Sequence, residues 1–241
     1  MSEIFIAGED TMAELYIAVD EADDESRGVV IQTAKAFSEG SSTLIGCYLP
    51  NPPTIGNTLV MAVMPDKNSG AFTQPVGWSI LAQLVDSVDA DMSYEVYYKI
   101  SDGTENYISG AWTNSTRSAI SVVEFQGGYT FDVVSQGSSG ATAQNALSTG
   151  TTMGLATTSS LIYTMACVDS GVYVDSTSSW SNDINIVHEI NKITTPDLSS
   201  APAMSIGSKL VTAQTGVEST YTFTGSGTDQ MRAVIIAFKE I

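Results

Sequence analysis

The sequence predicts an all-β fold, an antiparallel β-sandwich of about 12–14 short strands. Three observations predict it. Residues 94–125 read Y-E-V-Y-Y-K-I, N-Y-I-S-G-A-W and S-A-I-S-V-V-E-F, three runs rich in β-branched and aromatic residues parted by polar turns. Turn-forming clusters recur at roughly ten-residue spacing along the chain. Charged residues are 15% of the 241, against about 25% in an average globular domain. Ser, Thr, Gly and Asn take up the difference, which suits short strands and many turns.

Residues 1–28 stand apart. Glu3, Glu9, Asp10, Glu14, Asp20, Glu21, Asp23, Asp24 and Glu25 face Arg27 alone, −8 of a net charge of −18. E-I-F-I-A-G-E and E-L-Y-I-A-V-D echo each other there, each a short apolar run with acidic ends. A disordered acidic tail accounts for the composition. A docking arm, with Ile4, Phe5, Ile6 and Leu15, Tyr16, Ile17 as its two patches, accounts for the echo as well. The domain plan is therefore an acidic arm over 1–28 and a single β-sandwich domain over 29–241.

Strands are expected at 29–37 and 44–49, the second ended by Pro50, Pro52 and Pro53. T-L-V-M-A-V-M, ended by Pro65, is a continuous apolar run whose length and flanking breakers favour a strand buried on both faces. Gly77-Trp78 opens the next strand, with Trp78 as a core anchor. In 94–125, Tyr94, Val96 and Tyr98 share one face at a period of two. Asp102-Gly103 suits a type I′ hairpin turn, so a β-meander is expected there.

After Gly127-Gly128 the strand Y-T-F-D-V-V resumes the sheet. Residues 135–160 are a Ser/Thr/Gly/Ala stretch read as a long surface loop with a weak strand. A buried strand follows at 160–169, then a polar loop at 170–182 containing Trp180. Ile184 and Ile186 alternate, while Ile186, Ile190 and Ile193 fit helical spacing; a strand is the reading taken. The closing strand is apolar from Ala233 to Phe238 and should be central in a sheet. No sequence repeat of the propeller or solenoid kind is present.

The chemistry is sparse. Nine Lys and Arg with no cluster argue against nucleic acid and against an anionic membrane. No segment approaches the roughly 20 apolar residues of a membrane span, and no signal-peptide pattern opens the chain. Cys47 and Cys167 could form one long-range disulfide, but each sits in an apolar run and reads as a buried free thiol. With a single His there is no zinc spacing. Asp86, Asp89 and Asp91 form an oxygen-rich loop, but without EF-hand spacing they read as a solvated turn. His188 and Glu189 point to opposite faces of a strand, and no G-x-S-x-G occurs. No catalytic residue, cofactor or metal is expected, and the chain reads as a non-enzyme. Asn114-Ser-Thr is a formal sequon that implies an exposed loop. Trp112, Tyr129 and Trp180 lie near predicted turns or strand ends; they are candidates for glycan contact or core aromatics.

Several of these segments together resemble a pattern in virion proteins of tailed bacteriophages. They are G-N-T-L-V-M-A-V (56–63), G-W (77–78), V-Y-Y-K (96–99), D-G-T-E (102–105), A-W (111–112), E-F-Q-G (124–127) and V-I-I-A-F-K (234–239). The resemblance covers about residues 30–127 and 217–239 and rests on fold markers. It implies a jelly-roll-like sandwich and a non-enzymatic virion structural protein, assembled in the host cytoplasm. Such a protein attaches to a capsid or tail lattice and stabilises or decorates it. Its expected partners are the major capsid or tail protein and further copies of itself. The alternative is a carbohydrate-binding or host-adhesion module that meets a host surface glycan.

Overall fold

The computed structural model describes residues 29–38, 42–65, 70–84, 93–138, 145–157, 159–168, 178–190, 203–212, 215–222 and 230–241. Among these there are sixteen strands and no helix. They run β1 (Val30–Phe37), β2 (Ser42–Tyr48), β3 (Thr58–Pro65), β4 (Phe72–Thr73), β5 (Ser79–Leu84), β6 (Tyr94–Ile100), β7 (Tyr107–Thr116) and β8 (Ser118–Phe125). Then come β9 (Tyr129–Ser138), β10 (Ala146–Ser148), β11 (Ser160–Val168), β12 (Ser179–Trp180), β13 (Asn185–Ile190), β14 (Ala203–Val211), β15 (Thr220–Thr222) and β16 (Met231–Glu240). The predicted antiparallel all-β sandwich is what the chain forms. The strands outnumber the 12–14 expected because β4, β10, β12 and β15 have two or three residues each, too few to show a period. The predicted polar loop at 170–182 thus ends in a strand.

The strands make four sheets. Two have five strands, β1-β8-β3-β6-β5 and β13-β14-β11-β16-β9; two have three, β2-β7-β4 and β10-β15-β12. Three apolar layers hold them together. One lies between the five-stranded sheets and includes Val60, Tyr94, Phe125, Tyr163, Ile236 and Phe238. A second lies under β2-β7-β4 and includes Leu59, Ile108, Trp112 and Val122. The third lies under β10-β15-β12 and includes Ile162, Trp180, Tyr221 and Ile235. Both faces of the inner sheets are therefore covered. This is why β3, β8 and β11 are buried along their whole length and are apolar or small-residue throughout apart from a few polar positions such as Glu124. The described strands form a stack of four sheets in which the inner layer belongs to both halves of the chain.

The two halves repeat one another. Adding eight to each label converts the first pair of sheets into the second without exception. Registers repeat too. Leu59 pairs with Lys99 and Ile162 with Lys209; Thr58 pairs with Phe125 and Leu161 with Phe238. Even the irregularities coincide. Gln32 and Val30 flank a skipped residue opposite Glu124 and Phe125, as Val133 and Phe131 do opposite Ala237 and Phe238. Ile80 and Ala82 flank one opposite Tyr97 and Val96, as Ile186 and His188 do opposite Gly207 and Ile206. A bulge in the same place re-aims the same edge in each half.

This topology overturns the meander. β6, β7 and β8 are not neighbours: β6 pairs with β3 and β5, β7 with β2 and β4, and β8 with β1 and β3. From β6 to β8 each strand switches sheets, so the link after β6 is an arch and not a hairpin. Of Asp102 and Gly103 only Gly103 has positive φ, +86°, whereas a type I′ turn needs both.

The halves meet through the shared layer, with β1 against β13 and β5 against β9. The chain crosses between them at Gly127, clamped from both sides. Asn57 Oδ1 accepts from Gly127 N (2.9 Å), and Thr58 Oγ1 donates to Gly127 O (3.0 Å) while accepting from Tyr129 N (2.8 Å).

Candidate functional site

The outer sheet of the first half presents an aromatic face. On β2, Ile45 and Cys47 point inward, so Leu44, Gly46 and Tyr48 point out. Cross-strand pairing puts Ala111, Ser109 and Tyr107 beside them. Tyr48 and Tyr107 are 61% and 51% exposed, and Leu44 is 65% exposed. The two rings lie 4.5 Å apart at 37°. A Cβ on Gly46 would fall 2.6 Å from the Tyr107 hydroxyl. The glycine thus lets that ring lie flat along the sheet. No charged side chain occupies an outward position of β2 or of β7 from Tyr107 to Asn114.

Trp112 and Trp180, the proposed glycan contacts, are buried instead, at 4% and 6% exposure. Trp112 packs on Phe72 at 4.5 Å and Trp180 on Tyr221 at 5.1 Å. These are matching cross-strand pairs in matching outer sheets, and they lie in separate apolar layers. The correction has a simple cause. Trp112 is in phase with the inward Ile108, and Trp180 anchors a strand too short to be seen. Tyr129 is half-buried against the shared layer, so the three do not converge. Trp78 is buried as expected. Asn114 is exposed but lies on β7 and not in a loop. The arm residues Ile4, Phe5, Ile6, Leu15, Tyr16 and Ile17 lie outside the described residues, as do Asp86, Asp89 and Asp91.

Cys47 and Cys167 form no disulfide and are buried in different layers. Burial pushes the Cys47 thiol up to about 12, so it is inert at neutral pH.

Inside the shared layer, Ser121 Oγ sits 2.7 Å from His188 Nε2. The buried Nδ1 has no hydrogen-bond partner, and Ser121 is fully buried. Among the described residues the Ser121 hydroxyl is closed off from solvent and no carboxylate orients the imidazole, so the pair is a buried hydrogen bond. Burial first, then the Lys35 charge, lowers His188 to about 3. Lys35 itself crosses the layer to donate to Glu189 O at 2.5 Å.

Glu124 is fully buried and ties down the loop after β2. It accepts from Thr54 N (2.8 Å), Asn57 Nδ2 (2.6 Å) and Gln32 Nε2 (2.5 Å). At the arch after β6, Lys99 pairs with Asp102 at 2.9 Å and Glu105 at 2.6 Å. Burial would raise the Glu105 carboxyl, but the bond from Lys99 and its neighbours outweighs it and holds it low.

A groove of about 210 Å³ is lined by Ile162, Ile184, Val217, Asn182, Lys209 and Glu218 among others. Its polar groups are mutually engaged: Lys209 Nζ donates to Asn182 O (2.9 Å), and Asn182 Nδ2 to Glu218 O (2.7 Å). No group of three or more His, Cys, Asp or Glu among the described residues could hold a metal.

Neither the protein-family models, nor the curated proteins, nor the solved structures contain a match to this chain.

Proposed function

We propose that the chain is a non-enzymatic virion structural protein that attaches to a phage capsid or tail lattice and stabilises or decorates it. The observation that carries this reading is the repeated eight-strand plan. In each half the first strand pairs with the eighth, the second with the seventh and the third with the sixth. This partial concentric pairing resembles that of a rolled hairpin and supports a jelly-roll-like reading, the form used in capsid and lectin domains, with the fourth and fifth strands of each half placed in different sheets. Such a plan presents two outer sheets, one for each half of the chain. The ionisable groups that are perturbed here are sealed in layers or engaged in arches, which suits a wall more than a catalyst. The glycan-binding alternative loses Trp112 and Trp180 to the core and keeps only the half-buried Tyr129.

The test is light scattering on the purified chain, alone and mixed with virions stripped of it. Saturable, stoichiometric rebinding is expected. A chain that ignores particles and binds cell-wall polysaccharide would replace this reading with the adhesion module.

A further inference from the structure

We infer that the aromatic face of β2 and β7 is the acceptor for the acidic N-terminal segment of a second copy of this chain. Residues 4–6 and 15–17 are its contact patches. The inference rests on reading residues 1–28 as a docking arm and identifies what that arm grips.

Four observations support it. The face holds Leu44, Tyr48 and Tyr107 in the open around the small residues Gly46, Ser109 and Ala111. That is an apolar floor with no covering element among the described residues, on the outside of a sheet whose inner side is packed. It also carries no carboxylate. In a chain with 27 Asp and Glu against nine Lys and Arg, a charge-free face is where a strongly acidic segment can lie without repulsion. The arm offers matching chemistry twice, as Phe5 between Ile4 and Ile6 and as Tyr16 between Leu15 and Ile17.

The fourth observation is where the described chain begins. Gln32 exchanges two 3.0 Å hydrogen bonds with the backbone of Asn51, three residues past Tyr48. β1 therefore starts at the end of the sandwich where the tyrosine pair sits. Val29 and Ile31 are both exposed there. A segment of 28 residues can reach on the order of 90 Å when extended. Its junction with β1 carries Asp20, Glu21, Asp23, Asp24 and Glu25, and like charges in a linker favour extension over a tight reversal. A reach outward to a neighbour is thus favoured over folding back on the same molecule. The corresponding face of the second half cannot serve. Its outward positions on β10, β15 and β12 are Ala146, Ser148, Thr220, Thr222 and Ser179, which offer no large apolar side chain.

The experiment is light scattering over a concentration series on four proteins. They are the full chain, a chain lacking residues 1–28, an arm variant (Leu15→Ser, Tyr16→Ser, Ile17→Ser), and a face variant (Tyr48→Ser, Tyr107→Ser). The full chain should self-associate, and the other three should associate at least tenfold more weakly with an unchanged circular-dichroism spectrum. Mixing the arm-less chain, which keeps its face, with the face variant, which keeps its arm, should restore a one-to-one pair. A full chain that is monomeric throughout overturns the inference, as do an arm variant or a face variant that associates like the full chain. Failure to form the mixed pair overturns it as well. None of these readouts uses a virion, so the inference and the lattice reading can fail separately.

Discussion

Glu124 and Ala237 occupy the same place in the two halves, opposite Gln32 and Val133 respectively. One is a buried carboxylate accepting three hydrogen bonds and the other a buried methyl. The same contrast runs through the shared layer. Its β13 end holds His188 against Ser121, with Lys35 reaching across. The equivalent positions at the other end are Ala82, Val234 and Gln136, the last accepting from Tyr94 at 2.9 Å. The outer faces differ likewise, aromatic on one side and hydroxyl-bearing on the other. What the halves share is size, phase and register; what they do not share is polar chemistry. The strand plan tolerates either solution, even with the His188 Nδ1 left without a hydrogen-bond partner.

The comparison is tested most severely at Phe125 and Phe238, which occupy equivalent places in the shared layer. Each should cost about 3–5 kcal/mol when replaced by Ala, read by denaturant unfolding. Two costs differing by more than about 2 kcal/mol would break the equivalence.

A smaller effect should separate the two ends of the layer. His188 has a folded pKa of about 3 against an ordinary value of 6.5, so the unfolded chain takes up the proton first. Stability attributable to this group is intact above pH 6.5 and falls as pH drops toward 3. The loss between pH 6.5 and 4 is about 3 kcal/mol. Ser121→Val with His188→Leu makes this end apolar like its counterpart. The variant's stability should fall less with acid over that window than the parent's; parallel curves would remove His188 as the cause.

The smallest effect concerns two equivalent turns built differently. Gly77 precedes buried Trp78, and Asp183 precedes buried Ile184. In the first turn only Gly77 has positive φ, +86°; in the second Asn182 and Asp183 have φ of 61° and 55°, the pattern of a type I′ turn. Gly77→Ala should cost about 1–2 kcal/mol. Asp183→Gly should be neutral or stabilising by about 0.5 kcal/mol, since it relieves a strained φ and loses only an exposed ion pair. Thermal melts would show opposite shifts.

Much of the strand content was legible. β3, β11 and β16 announce themselves because strands covered on both faces are apolar along their length. The pairing was not. Which sheet β7 joins depends on partners more than fifty residues away, such as Ile45, and no local period carries that. The repeat was hidden for a related reason: Leu59 answers to Ile162 and Val122 to Ile235, kept in shape but not in identity. The aromatic face could have been found. Tyr48 is out of phase with Ile45 and Cys47, and Tyr107 with Ile108, whereas Trp112 is in phase with Ile108. Proximity to turns suggested tryptophans; alternation would have suggested these tyrosines.

The reciprocal docking of β1 on β13 and β5 on β9 has a further meaning. In it, each half offers the other the same surface, which is the defining property of an isologous interface. The chain has the form of a two-subunit assembly whose subunits are joined end to end. Tethering makes that association intramolecular, so dilution cannot dissociate it, and mass action no longer governs whether the inner sheets are covered. It also frees the two outer walls to differ, as subunits related by symmetry could not.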